Sequence, residues 1–443
     1  MNNYDLILRQ GNSLIFRDGH WFQEISDIAI KDGKIAEVAN KISGSAAQEI
    51  DARGLTVLPG VIDTQVHFRE PGLTHKEDLE SGTRAALLGG VTSLFEMPNT
   101  MPPTISTAAL DEKLERAKGR AHVNYAFYGG ASDSNLSDLI KMENHPHCPG
   151  IKVFMGSSTG TLLIETDELL EKVFLNTRKR VVIHSEDETR LRARRELAQG
   201  SVHNHPVWRD VDTAVSSTKR LLNMARKHNR RVHVLHISSA EEMEILKNEK
   251  DIATVEVLPN HLTLFAPDCY DRLGTLAQQN PPIRERRHME GLWKGIAEGT
   301  VDVIGSDHAP HTLEEKQRPY PQSPSGTPGV QTLVPIMLNH VHEGKLSLTR
   351  FVEMVTENPR RIFGIENKGR IEKGYDADFT VVDLKKSRVI ENKWIASKCG
   401  WTPFDGMKVT GWPIYTILAG KIAMAEDQVL LPASGKPLNF AKV

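Results

Sequence analysis

Between residues 61 and 305 short apolar runs recur, at 61–66, 91–97, 122–128, 151–154, 181–183, 232–237, 254–258 and 301–305. Stretches with helical spacing of apolar positions separate them, at 76–88, 107–118, 167–176, 212–227, 240–247 and 288–297. Brief apolar strands alternating with helices are the pattern of parallel βαβ units, whose strands are buried on both faces. Eight such runs in about 250 residues predict a closed α/β barrel of the (β/α)8, or TIM, type. An open doubly wound sheet is the structural rival. It is disfavoured because no Gly-x-Gly-x-x-Gly follows the first run.

The two ends of the chain read differently. Residues 27–31 and 34–38 flank Asp32-Gly33, a hairpin signature, because Asp-Gly adopts positive φ at low cost. Residues 57–59 close this section, and strand-like runs return at 379–383 and 414–423. We expect both ends to pair into one small β-sandwich domain, residues 1–58 with 365–443, beside a barrel of residues 59–364. The segment 319–329 (PYPQSPSGTPG) is rich in proline, glycine and serine. It reads as a loop over the barrel mouth, either a passive surface loop or, with residues from 312 onward, a lid.

Composition narrows the function. The 443 residues carry 55 Lys and Arg against 57 Asp and Glu, a net charge of -2. So balanced a charge gives no electrostatic reason to expect nucleic acid or an anionic membrane as partner. The cysteines, Cys148, Cys269 and Cys399, form no Cys-x-x-Cys pair, so neither a disulfide framework nor a thiolate metal site is indicated. The N-terminus lacks the basic and apolar regions of a signal peptide, and we expect a cytoplasmic protein with reduced thiols.

Barrels carry their chemistry at the C-terminal ends of the strands, so polar residues that interrupt the runs there are the informative ones. After the first run, Gln65, His67 and Arg69 are two apart and share a face toward the mouth. Lys152 lies inside the fourth run. A lysine there is costly to bury, so it is either salt-bridged at the rim or converted by CO₂ into a metal-bridging carbamate. His184 ends the fifth run. In the sixth, His233 and His236 face opposite sides, and His236 is nearer the mouth, which leaves His233 a structural role. Asp307 follows the eighth run. Imidazole and carboxylate donors without thiolate suit a catalytic zinc site with an open position, where Asp307 could ligate metal and move a proton.

These motifs resemble the dihydroorotases of the amidohydrolase superfamily over nearly the whole chain. The matching segments are PGVIDTQVHFREPG from Pro59, GGVTSLFEMPNT from Gly89, GIKVFM from Gly150, VIHSED from Val182, VLHISS from Val234, NPPIR from Asn280, GSDHAPHT from Gly305 and TPFDG from Thr402. Several are shared with hydantoinases and allantoinases; REPG, MPNT and DHAPH are more specific to dihydroorotases. The resemblance implies reversible interconversion of N-carbamoyl-L-aspartate and L-dihydroorotate, in pyrimidine biosynthesis. It also implies His67, carboxylated Lys152, His184, His236 and Asp307 as metal ligands, with Asp307 as general acid and base. Arg69, Asn99 and His311 then correspond to groups that hold the substrate carboxylate, and Asn280 to a contact with the pyrimidine ring. One departure stands out, because the family usually has His-x-His on the first strand and the first histidine is here Gln65. A glutamine carbonyl is a weaker donor, which implies one zinc or two, according to whether Gln65 serves as a ligand. The same departure is the one sequence feature favouring an inactive scaffold that partners aspartate transcarbamoylase, as some chains of this kind do. Homodimers are common in the family.

Overall fold

The structure, a computed structural model, describes residues 4–158 and 162–442. The chain begins with β1 (Tyr4–Arg17), β2 (His20–Lys31), β3 (Lys34–Ala39), β4 (Ala46–Asp51) and β5 (Thr56–Pro59). Asp32 and Gly33 turn β2 into β3 with φ of 50° and 75°, as a tight hairpin of the expected kind requires. β1 is long because it serves two neighbours. Its register shifts between Leu8 and Gly11, and it pairs in parallel with β4 before the shift and with β5 after it. Such an irregularity bends a strand and lets one sheet fold around its own core. That core is built from Leu6, Ile28, Ile30, Val57, Phe379 and Ile417.

The barrel follows. Its strands are β6 (Val61–Val66), β7 (Val91–Glu96), β8 (Asn124–Phe127), β9 (Gly129–Gly130), β10 (Ile151–Phe154), β11 (Val181–His184), β12 (Val232–Val234), β13 (Ala253–Val257) and β14 (Val303–Ile304). All neighbours within it pair in parallel. β8 and β9 are two halves of one strand separated by Tyr128, the first half bonded to β7 and the second to β10. The ring closes where Val66 bridges His308 and the His67 N–H donates to the His308 carbonyl at 2.7 Å. The architecture is therefore the expected (β/α)8 barrel.

Element ends differ from expectation where side chains override periodicity. The first barrel helix starts at Leu79, not at residue 76, because Asp78 caps it by accepting from the Ser81 N–H. Glu77, immediately before the cap, is fully buried and bonds Ser397. The sixth strand stops at Val234 rather than 237, since His236 takes up a φ of 38° that no strand can contain.

The return of the chain supplies β15 (Phe379–Val389), β16 (Lys408–Leu418), β17 (Lys421–Ala425) and β18 (Gln428–Val429). The apolar run 414–423 is divided by a turn at Ala419 and Gly420, with φ of 44° and 73°. β15 lies antiparallel to β5, so both ends of the chain share a sheet ordered β18-β17-β16-β15-β5-β1-β2-β3. β16 packs on the barrel helix Leu333–His342 at Gly411, where a Cβ would lie 2.5 Å from that of Leu338. The last residues return to the barrel. The Tyr125 N–H donates to the Lys436 carbonyl and the Leu438 N–H to the Tyr125 carbonyl there, and Phe440 and Phe363 pack edge-on against Phe95 inside. This aromatic plug fills the N-terminal end of the barrel and leaves the opposite end to the polar residues. Among the described residues no helix is long and apolar enough to cross a membrane.

Candidate active site

At the C-terminal end of the barrel a small cavity is lined by Gln65, His67, Arg69, Asn99, Lys152, His184, His236, Asn280 and Asp307, together with Phe154, Ser158, Ala309, Ser325 and Gly326. The structure thus brings together every candidate named from the sequence except His311. That residue sits one layer behind, with its Nε2 3.3 Å from the Arg69 guanidinium and 3.0 Å from the Ser325 carbonyl.

Three of these residues hold left-handed backbone conformations that L side chains rarely adopt: Arg69 at φ 65°, His236 at 38° and Asp307 at 45°. Each costs on the order of 1 kcal/mol and persists only where surrounding packing fixes it. The gain is direction, because all three of these side chains line the cavity.

The imidazoles are set by their outer partners. His184 donates from Nε2 to Glu186 at 2.8 Å, which leaves Nδ1 bare, 3.0 Å from Nε2 of His236. A carboxylate on the far nitrogen is the usual way a metal-binding histidine has its tautomer fixed. Burial disfavours the charged form of Glu186, yet Arg209 and His184 overcome it and hold the carboxyl at about 2. His67 bonds Asn99 through Nδ1 at 2.7 Å and faces Asp307 Oδ1 at 3.1 Å through Nε2. Burial lowers the pKa of His67, His184 and His236, so all three stand as neutral donors.

Lys152 is 1 % exposed, and burial lowers its pKa to about 7. Its Nζ has no hydrogen-bond partner among the described residues and lies 4.5 Å from the centre of the Phe154 ring. Gln65 donates to Asp307 at 2.9 Å, and its Oε1 is likewise buried and unpaired, as is Nδ1 of His236. An unpaired buried polar atom normally costs about 1–3 kcal/mol, so several at one cavity mark a place built for something else to bind. The donors form two pairs, His184 with His236 and His67 with Asp307. Among the described residues no three His, Cys, Asp or Glu side chains converge as a finished metal cluster. The donor types suit a divalent cation, for which Lys152 as a carbamate would supply a further oxygen ligand.

Beneath the cavity lie groups that sequence reasoning passed over. Glu256, in β13, accepts from the Thr64 hydroxyl at 2.6 Å, and burial raises its carboxyl to about 8. Asp63 is raised to about 7 by the same cause. Burial thus favours the neutral form of both and lessens the repulsion below the cavity. The signal was available for Glu256, a charge inside an apolar run like Lys152. Glu186, two residues after His184, also escaped notice, and Arg209 and His205 carried no sequence signal at all. His233 bonds Thr254 at 2.8 Å and packs on Phe363, away from the cavity, in the structural role expected of it.

Arg69 is 1 % exposed, donates to the Pro310 carbonyl at 3.1 Å and lies 3.3 Å from Nε2 of His311. Among the described residues no carboxylate pairs with it, and burial lowers its pKa to about 10. A buried guanidinium with no counter-ion of its own is a ready partner for a carboxylate brought by a ligand.

Comparison with known proteins agrees with this geometry. The amidohydrolase family model matches residues 56–423. Dihydroorotase from Pyrococcus furiosus is 36% identical over 412 residues, 93% of this chain and 90% of that protein. Dihydroorotase from Methanosarcina acetivorans is 34% identical over 421 residues, 91% of this chain and 89% of that one. Among solved structures, the L-hydantoinase (dihydropyrimidinase) from Arthrobacter aurescens superposes with a TM-score of 0.92 at 30% identity, covering 98% of this chain and 100% of its own. The chain belongs to the amidohydrolase family, and within it to the dihydroorotases.

Proposed function

We propose that the protein is a zinc-dependent cyclic amidohydrolase that interconverts N-carbamoyl-L-aspartate and L-dihydroorotate in the cytoplasm. The observation that carries this reading is Arg69, a buried guanidinium with no salt-bridged carboxylate among the described residues, at the wall of a cavity rich in metal-donor groups. The substrate carboxylate supplies a counter-ion, and the uncharged rings of hydantoin-type substrates do not. His184 and His236, with Lys152 carboxylated at its neutral amine, would hold one zinc ion. His67 and Asp307, with Gln65 as a weak donor, would offer a second, looser position. When bound, zinc supplies electrophilic activation of the ring carbonyl and acidifies a water molecule.

The chain's own residues do the rest. Arg69, braced by the Pro310 carbonyl and His311, orients the substrate by its carboxylate. Asn99 lies beside it and fixes His67. Asp307 takes a proton from the attacking water and returns it to the ring nitrogen as the amide bond breaks; in the reverse direction the same carboxyl takes that proton back. Gln65 holds Asp307 in place through the bond to Oδ1. Such a site argues for an enzyme over a non-catalytic scaffold, because a chain kept only for assembly has no use for neutral imidazoles and unpaired polar atoms around one cavity.

The test is dihydroorotate hydrolysis by Arg69→Met beside the wild type, with zinc quantified on the same samples. Losing one charge-assisted contact of about 2 kcal/mol raises KM roughly 30-fold with zinc content unchanged. Wild-type turnover of hydantoin but not of dihydroorotate would replace this reading with that of a hydantoinase. Absence of both activities, and of zinc, would favour the scaffold that partners aspartate transcarbamoylase.

A further inference from the structure

Asn280 is held from behind by a chain of side chains that none of the chemistry above uses. His205 is fully buried in the long connection after β11. Its Nε2 lies 3.0 Å from the main-chain carbonyl of Gln279 and 3.0 Å from Oδ1 of Asn280. On the other edge of the ring, Nδ1 lies 3.4 Å from the hydroxyl of Tyr320, which belongs to the loop over the barrel mouth. The rings of His205 and Tyr320 meet edge to face, with centroids 5.8 Å apart and an interplanar angle of 83°.

The tautomer follows from donor and acceptor rules. A main-chain carbonyl only accepts, so His205 Nε2 carries the proton. The atom of Asn280 that meets it must then also be an acceptor, which makes it the amide oxygen. Nδ1 is bare, and Tyr320 donates to it. Burial, helped by the nearby charge of Arg209, lowers the pKa of His205 to about 3, so the ring remains neutral throughout the working range.

We infer that His205, with Tyr320 behind it, is a positioning residue that turns the Asn280 amide so that its NH2 group, and not its oxygen, faces the cavity. The bound ring must therefore present a carbonyl oxygen at that wall, and a ring presenting an N–H there is rejected. This deepens the reading of the site as one for a cyclic amide and rests on it. Free rotation would let Asn280 serve either ligand; the fixed amide is what discriminates, because the wrong group would leave two donors facing each other.

The experiment measures KM and kcat for dihydroorotate in the full-length, zinc-loaded wild type, His205→Phe, His205→Gln, Asn280→Ala and the double variant His205→Phe/Asn280→Ala. Loss of one neutral hydrogen bond at the ring predicts a rise in KM of about tenfold in His205→Phe, with kcat changed far less and zinc content unaltered. His205→Gln, whose amide can still donate to Asn280, recovers most of the loss. In the Asn280→Ala background His205→Phe adds almost nothing. The same tenfold rise with Asn280 already removed would overturn the proposal, as would an unchanged KM in His205→Phe. A second measurement needs neither substrate nor variant. The ¹⁵N resonances of His205 in the wild type should show a protonated Nε2 and a bare Nδ1, and the reverse tautomer would overturn the proposal. A wild type that turns over no dihydroorotate sinks the dihydroorotase reading alone, since the tautomer still decides the orientation of Asn280.

Discussion

At the scale of single residues, the site depends on who holds whom. Asp307 is gripped by Gln65 at 2.9 Å and faces His67 at 3.1 Å, so an amide in its place keeps the shape and loses the proton chemistry. Asp307→Asn should therefore lower kcat by about 10²–10⁴ while zinc remains bound; wild-type turnover in that variant would remove Asp307 from its role. Gln65 tests the departure from the family pattern. Its Oε1 is buried without a partner while its Nε2 is committed to Asp307. Gln65→His should raise the zinc content measured by atomic absorption from about one toward two per chain, because imidazole is a far better donor than a carboxamide oxygen. An unaltered metal count would mean that this position is not a ligand.

At the scale of elements, the loop at 319–329 was open to two sequence readings, a passive segment or a lid. The structure shows it bonded down as a wall of the cavity. Lys316 is fully buried and donates from Nζ to the carbonyls of Gln278 and Pro324, both at 2.9 Å. Gln278 bonds the carbonyl of Ser323, and its own carbonyl accepts from the Gly326 N–H. Gly326 is required here, since a Cβ would lie 2.4 Å from the Ala309 carbonyl at a φ of 139°. Lys316→Met would leave the Pro324 carbonyl unpaired, at a cost of about 1–3 kcal/mol, and take one of two donors from the Gln278 carbonyl. The expected outcome is faster proteolytic cleavage within 317–326 together with a raised KM, because Ser325 and Gly326 line the cavity. Unchanged cleavage would show that Lys316 does not fasten the loop.

At the scale of the whole molecule, stability couples to pH through groups sealed inside the barrel. His233 is fully buried, and burial lowers its pKa to about 3. It is therefore neutral in the folded chain and protonates near 6.5 when unfolded. A depressed folded value means that its contribution is complete above pH 6.5 and falls away as the pH drops toward 3, by about 1.4 kcal/mol per unit. Buried carboxyls titrate in the same window in the opposite sense, Asp63 and Glu256 among them, so the difference between variant and wild type is the informative quantity. His233→Gln should be less stable than the wild type at pH 7.5 and close that gap as the pH falls to 5. A gap independent of pH would mean that His233 is not buried as a neutral ring.

The sequence by itself determined the barrel and most of the side chains at its mouth, since both are written in local patterns. Strands buried on both faces must be apolar runs, and a charge or imidazole at the end of such a run has only the mouth to occupy. Gln65, His67, Lys152, His184, His236 and Asp307 were legible for that reason. Only the tertiary structure decided how those groups are held. Glu186 fixes the tautomer of His184, and His205 reaches Asn280 from 75 residues away in the chain and is itself met by Tyr320. His311 is placed behind Arg69 rather than on the cavity wall. Apart from the Glu186–His184 pair, which is local, none of these relations has a sequence period, because each is made between loops from different strands that meet only when the barrel has closed.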